Sequence, residues 1–161
     1  MSDIGSFMFG VGALIVRPDG RVLVLKRASN VSDWNVEKWE LVYGRKAQLE
    51  EIEDCVRREI LEETGIVDVE IIRALRSWHF FRGDKVAESE ILGMTFLCRT
   101  TTLEPKLSRE HTDYRWATPE EALNLIEVKG IRLDVECYRD ARMALVLSGT
   151  HETLWLDGTK R

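Results

Sequence analysis

The chain has 161 residues and a net charge of −5, with 44% hydrophobic and 32% charged residues. That suits one folded domain, excludes wholesale disorder, and argues against a general affinity for duplex nucleic acid, which needs a basic footprint. Cys55, Cys98 and Cys137 are far apart and odd in number, so neither a disulfide framework nor a zinc site is expected. They point to a reducing, cytoplasmic setting. The apolar run Phe7 to Val16 is too short to span a membrane and follows Asp3 rather than a basic segment.

In chain order, "SFMFGVGALIV" reads as a buried strand, "RPDG" as a turn and "RVLVLKR" as the second strand of a hairpin. "ASNVSDWNVEK" is a polar loop that carries Trp34, and "WELVYG" follows it. A helical pattern runs from about Glu50 to Thr64, with Gly65 placed to terminate it. "VDVEIIRALRSWHFF" and "AESEILGMTFLCRT" are strands joined by the turn-like "RGDK". "LEPKLSREH" is a loop and "YRWA" a short strand. "TPEEALNLI" opens a helix, with Thr118 as N-cap, Pro119 at the first position and Glu121 three residues after the cap. "RLDVECYRDARMALVLSG" is the last helix, ending at Gly149, and the tail from there to Arg161 is polar apart from Leu154, Trp155 and Leu156. The expected class is α+β, a mixed sheet with helices packed on it, in a single domain over residues 1–161.

On a helical wheel, Ile52, Cys55, Val56 and Ile60 form an apolar stripe, with Glu59 in its middle and Glu62 at its border. Glu53, Asp54, Arg57 and Thr64 take the solvent face. Glu59, Glu62 and Glu63 share the i, i+3, i+4 relation that sets side chains next to one another. Clustered, partly desolvated carboxylates repel, and a divalent cation is the simplest compensation; all-oxygen ligands favour Mg²⁺, with Mn²⁺ as the alternative. The plain alternative is an acidic helix whose glutamates pair with Arg57 and Arg58.

The full spacing weighs against that alternative. Gly44, five residues, Glu50, seven residues, then Arg58-Glu59-Ile60-x-Glu62-Glu63-x-Gly65-Ile66 resembles the Nudix box of the Nudix hydrolase superfamily at every fixed position. "GALIVRPDGRVLVLKR", "KWEL" and "SREHTDYRWATPEEAL" resemble its flanking segments. The resemblance implies the Nudix fold, an α/β/α sandwich around a mixed β-sheet. It also implies Mg²⁺-dependent cleavage of a diphosphate linkage in a nucleoside diphosphate derivative, a small-molecule nucleotide. By the same resemblance Glu59, Glu62 and Glu63 are catalytic and metal-binding. Glu50 and Arg58 form a pair that orients them, and Arg58 counts with the catalytic set. The Tyr43 carbonyl and Glu110 are further metal ligands, Glu110 with the alternative role of general base.

Two positions depart from the pattern. Tyr43 and Leu49 stand where the family usually has glycine, so an altered path is expected for the loop from Tyr43 to Leu49. The proline that tends to follow the box in the family's ADP-ribose pyrophosphatases and the tyrosine of its dinucleoside polyphosphate hydrolases are absent here, which favours a nucleoside triphosphate; a hydrolase for ADP-ribose or a nucleotide sugar is the alternative. Trp34, Trp78 and Tyr43 are candidate substrate-binding residues, while Phe80 and Phe81 read as core, and His79 and His111 as packed or solvated. The other readings are a non-catalytic nucleotide sensor and, last, an isopentenyl-diphosphate isomerase type, which would need a cysteine before the box. Trp155 leaves a homodimer open; no membrane partner is expected.

Overall fold

The computed structural model describes residues 5, 7–29 and 35–147. Trp34, Trp155 and the end of the last helix at Gly149 lie outside the described residues. The elements are β1 (Met8–Val16), β2 (Val22–Arg27), β3 (Trp39–Glu40), β4 (Val42–Arg45), α1 (Ile52–Thr64), β5 (Glu70–Phe81), β6 (Glu90–Arg99), β7 (His111–Ala117), α2 (Pro119–Leu125) and α3 (Lys129–Leu147), with a 3-10 turn at Ala87–Ser89.

β1 is the axis of the sheet. It runs parallel to β6 from Met8↔Ile91 to Val16↔Arg99, and antiparallel to β4 from Gly10↔Arg45 to Ala13↔Val42. The hairpin to β2 forms at its base, where Val16 faces Val22 across a turn closed by Gly20 at φ 80°. Beyond that base the two strands part, and each finds other partners. β2 pairs with β7 and β3, and the chain crosses from β2 to β1 at the fully buried Leu41. β5 closes the far edge against β6. One parallel pair among antiparallel ones makes the sheet mixed.

Strand alternation separates two cores. Val11, Ala13 and Ile15 of β1, with Leu23 and Leu25 of β2, meet Cys55, Val56 and Ile60 of α1. Leu14, Val16, Val22 and Val24 point the other way, onto Ala122, Leu123 and Ile126 of the α2 region and onto Ile131, Val135 and Tyr138 of α3. The result is the expected α+β sandwich, with α1 on one face and α2 and α3 on the other.

α1 ends as expected, at Gly65 with φ 65° and its N–H donating to Leu61. It starts at Ile52 rather than Glu50, and two wheel positions differ. Ile52, at the first helical position, is 36% exposed, whereas Thr64 is fully buried. Thr64 lies one turn beyond Ile60, and so shares its inward face; its hydroxyl donates to the Ile60 carbonyl at 2.6 Å. α3 begins three residues before the expected Arg132, at Lys129, and β7 already includes His111.

α2 carries the expected cap. The Thr118 hydroxyl accepts from the Glu121 N–H, and the Glu121 carboxylate accepts from the Thr118 N–H at 2.8 Å. Thr118→Ala is expected to cost about 1 kcal/mol, read as a shift in the urea unfolding midpoint.

Candidate active site

A cleft of about 730 Å³ opens where β4, α1, β5, the loop before β7 and the start of α3 converge. Gly44, Glu59, Glu62, Glu63, Glu110, Tyr43 and Trp78 all line it. Trp34 cannot be placed, because it lies outside the described residues.

Gly44 is where strand and helix touch. A Cβ there would lie 1.8 Å from the Glu59 carboxyl carbon, so the Glu59 side chain occupies the space a side chain at 44 would need. Close approach, not backbone conformation, requires this glycine: among the described glycines, positive φ occurs at 20, 65 and 83.

Arg58 organises the acids around it. Its Nε and Nη2 donate to the two oxygens of Glu50 at 2.7 and 3.1 Å. Its Nη1 donates to Glu59 at 2.7 Å and to Glu62 at 3.1 Å, and Nη2 also reaches the Arg45 carbonyl at 3.0 Å. The Arg58 hydrogen bonds, with one from the Ala47 N–H, pull the Glu50 carboxyl down to about 2. Glu50 thus braces the loop before α1, and Arg58 ties that loop to the helix glutamates.

The Glu59 and Glu63 carboxyls respond the other way. Burial raises Glu59 despite its bond to Arg58. Burial raises Glu63 well above the ordinary carboxylate range, and the charges of Glu40, Glu59 and Glu110 add to the effect. Glu63 Oε2 is buried with no hydrogen-bond partner among the described residues. Glu62 is more open, with 57% of its side chain exposed.

Behind Glu63 stands a second cluster that the sequence did not disclose. Glu40 is buried, and its carboxylate accepts from Arg27 at 2.9 Å and from Asn35 at 2.9 Å, with His111 Nε2 3.1 Å away. Burial pushes the Glu40 carboxyl up, but these three contacts outweigh it and the net shift is downward. His111 Nε2 also lies 4.0 Å from Glu63, and its Nδ1 has no partner among the described residues. Arg27 reaches Glu110 at 3.6 Å, and the Ala28 N–H donates to the Glu110 carbonyl at 2.8 Å. One cue was available: Glu40 is a charged residue inside the apolar stretch "WELV".

Tyr43 sits in β4 as ordinary extended strand, while Leu49 adopts φ 63°, the left-handed conformation in which a glycine is unstrained. Its side chain is 93% exposed, so no packing resists it. The Tyr43 hydroxyl donates to Asp134 at 2.6 Å, and burial, with the Asp134 charge, raises its own pKa well above the ordinary value. Burial pushes Cys55 up to about 12, in keeping with a core thiol. His79 meets Glu90 at 3.0 Å on the cleft rim.

Among the described residues, no three acidic, histidine or cysteine side chains form a ready-made metal cage. Arg58 supplies the positive charge between Glu50, Glu59 and Glu62. The donor set nonetheless fits a hard cation: all oxygen, with one orphaned buried carboxylate oxygen beside Glu59 and Glu110.

A NUDIX domain model matches residues 7–134. A MutT-like protein of Streptomyces ambofaciens is 34% identical over 125 residues, covering 76% of this chain and 72% of that protein. The nucleoside triphosphatase NudI of Escherichia coli is 28% identical over 131 residues, covering 74% and 91%. The crystal structure of a MutT protein from Methanosarcina mazei Go1 superimposes with a TM-score of 0.69 at 27% identity, covering 88% of this chain and 99% of that one.

The raised Glu63 pKa has a consequence for the metal-free protein. A carboxyl whose folded pKa is raised stabilises the fold fully below its unfolded pKa, and that contribution is lost as pH rises through the folded value. Glu63→Gln is therefore expected to raise the melting temperature of the chelated protein at pH 7.5, with the gain vanishing towards pH 4. Melting curves across that range check the sign.

Proposed function

This chain belongs to the NUDIX domain family, whose hydrolases act on pyrophosphate bonds, and from that premise we propose a Mg²⁺-dependent pyrophosphohydrolase of nucleoside triphosphates. The observation that carries the reading is the Glu63 oxygen that has no hydrogen bond among the described residues, buried in a cleft beside Glu59 and Glu110 with its carboxyl shifted toward the neutral form. A group in that state calls for a cation. The E. coli relative named as a nucleoside triphosphatase supports the substrate class, and the cleft volume is in the range that takes a mononucleotide.

In this reading Glu59, Glu62 and Glu63 hold the ion, with Glu110 and the Tyr43 carbonyl as further ligands. When bound, Mg²⁺ (or Mn²⁺) neutralises phosphate charge and lowers the pKa of the attacking water. The protein then has three tasks. Arg58 and Glu50 keep the helix carboxylates aimed, since Arg58 bonds Glu50 in the loop as well as Glu59 and Glu62 on the helix. Gly44 lets Glu59 lie against the strand. A carboxylate of the set, with Glu110 in the loop as the candidate outside the helix, accepts the water proton. Arg27 ties to Glu110 on one side and Glu40 on the other, so it fixes where that carboxylate can stand.

No helix among the described residues is long and apolar enough to cross a membrane. With three thiols and none in a disulfide, the residues fit the reducing setting proposed for the protein.

The test is release of pyrophosphate from nucleoside triphosphates, run beside ADP-ribose, nucleotide sugars and dinucleoside polyphosphates. Turnover is expected on the triphosphates, abolished by chelation and lowered at least about a hundredfold by Glu62→Gln. Turnover confined to another class would reassign the substrate, and turnover that survives chelation would remove the metal.

A further inference from the structure

We propose that the β5–β6 side of the cleft is a stacking platform, on which Trp78 takes the nucleobase by its face and so leaves base identity largely unread. This rests on the reading of the cleft as a nucleotide site.

Three strands place Gly10, Gly93 and Trp78 in one row: Gly10 pairs with Gly93 across β1 and β6, and Gly93 with Trp78 across β6 and β5. Neither glycine has a positive φ, so neither is needed for a turn. Each is needed for room. A Cβ at Gly93 would lie 2.1 Å from Trp78 Cη2, and a Cβ at Gly10 would lie 2.6 Å from the same atom. The indole therefore lies back across two bare α-carbons.

Its other contacts fix it there. Trp78 Nε1 donates to the Thr95 hydroxyl at 3.1 Å. The Tyr43 ring meets it edge-on, with centroids 6.2 Å apart, and Phe80 lies beside it at 5.6 Å. The residue is only partly buried and lines the cleft. A large aromatic surface held rigid before the ligand arrives loses little entropy on binding. It is also close to the acids: the Cβ position above Gly10 is 3.4 Å from the Gly44 carbonyl, and Gly44 is the residue that packs on Glu59. A phosphate chain at the glutamates and a base on the indole would belong to one small molecule.

Four polar groups beside the platform, Tyr43, Arg76, Thr95 and Asp134, are committed to each other. Asp134 is fully buried and accepts from Tyr43 at 2.6 Å, Thr95 at 2.7 Å and Arg76 at 2.6 Å. Arg76 also donates to the Gly130 carbonyl at 2.8 Å. Groups spent on one another do not read the edge of a base. Stacking discriminates weakly, because every base has a π-face.

Two experiments test this. Tryptophan emission is followed while AMP, GMP, CMP or UMP is titrated in the presence of Mg²⁺. Quenching is expected for all four with affinities within about tenfold, and loss of most of it in Trp78→Phe. In parallel, KM is measured for the four nucleoside triphosphates and for inorganic tripolyphosphate, which has no base. Trp78→Ala is expected to raise nucleotide KM about tenfold or more, with kcat and the tripolyphosphate KM little changed. Gly93→Ala, which displaces the indole but keeps it, is expected to do the same, and Trp78→Phe to recover part of the loss. Quenching unchanged in Trp78→Phe would overturn the proposal, as would a Trp78→Ala defect equal on both substrate types, or one base preferred a hundredfold. If no triphosphate is hydrolysed, the quenching still decides the platform, while the failure falls on the hydrolase reading.

Discussion

Two carboxylates, Glu59 and Glu63, are turned into the protein on one face of α1, and the surroundings are built around the cost of putting them there. Burial alone would drive both toward the neutral acid. Arg58 relieves part of that cost for Glu59 and none of it directly for Glu63. Arg58 can do so because Glu50, folded back beside it, holds two of its donors. Gly44 can pass Glu59 because it has no side chain. The spacing of glycine, glutamate, arginine and glutamates is thus one contact network written along the chain. Its members are adjacent in space because β4 leads into α1 through a short loop.

That network was legible because most of it is local. Three glutamates at helical spacing must lie together wherever the helix goes, and Gly65 ends that helix by its conformation. The Thr118 cap was legible for the same reason. What depends on distant segments was not. Glu40, Arg27 and His111 lie on three different strands, and only the pairing of β2 with β3 and β7 brings them behind Glu63. Gly10 and Gly93 look like ordinary strand glycines until the parallel register of β1 and β6 sets them side by side. The hairpin of β1 and β2 was right at its turn and incomplete beyond it, because local pattern cannot say that two strands part to admit others. At Leu49 the chain adopts the left-handed conformation that a glycine would favour. An exposed loop residue can bear a left-handed φ at modest cost, which is of order 1–3 kcal/mol for such backbone strain.

The same chain contains a control for its own unusual carboxylate. Asp134 on α3 is buried, as Glu63 on α1 is, yet three donors from β4, β5 and β6 surround it. A buried acid so satisfied has no need of a further partner, and it fastens the helix to the sheet. Glu63 has carboxylates around it, and its Oε2, 4.0 Å from the His111 imidazole, has no hydrogen bond among the described residues. Folding could have supplied donors in both places; it did so in one. Because an unmet buried polar atom costs free energy, its persistence on the cleft side is a cost that the proposed cation would relieve. On the proposed reading the two acids divide the work, with the satisfied one holding the wall of the cleft and the unsatisfied one left for the cation.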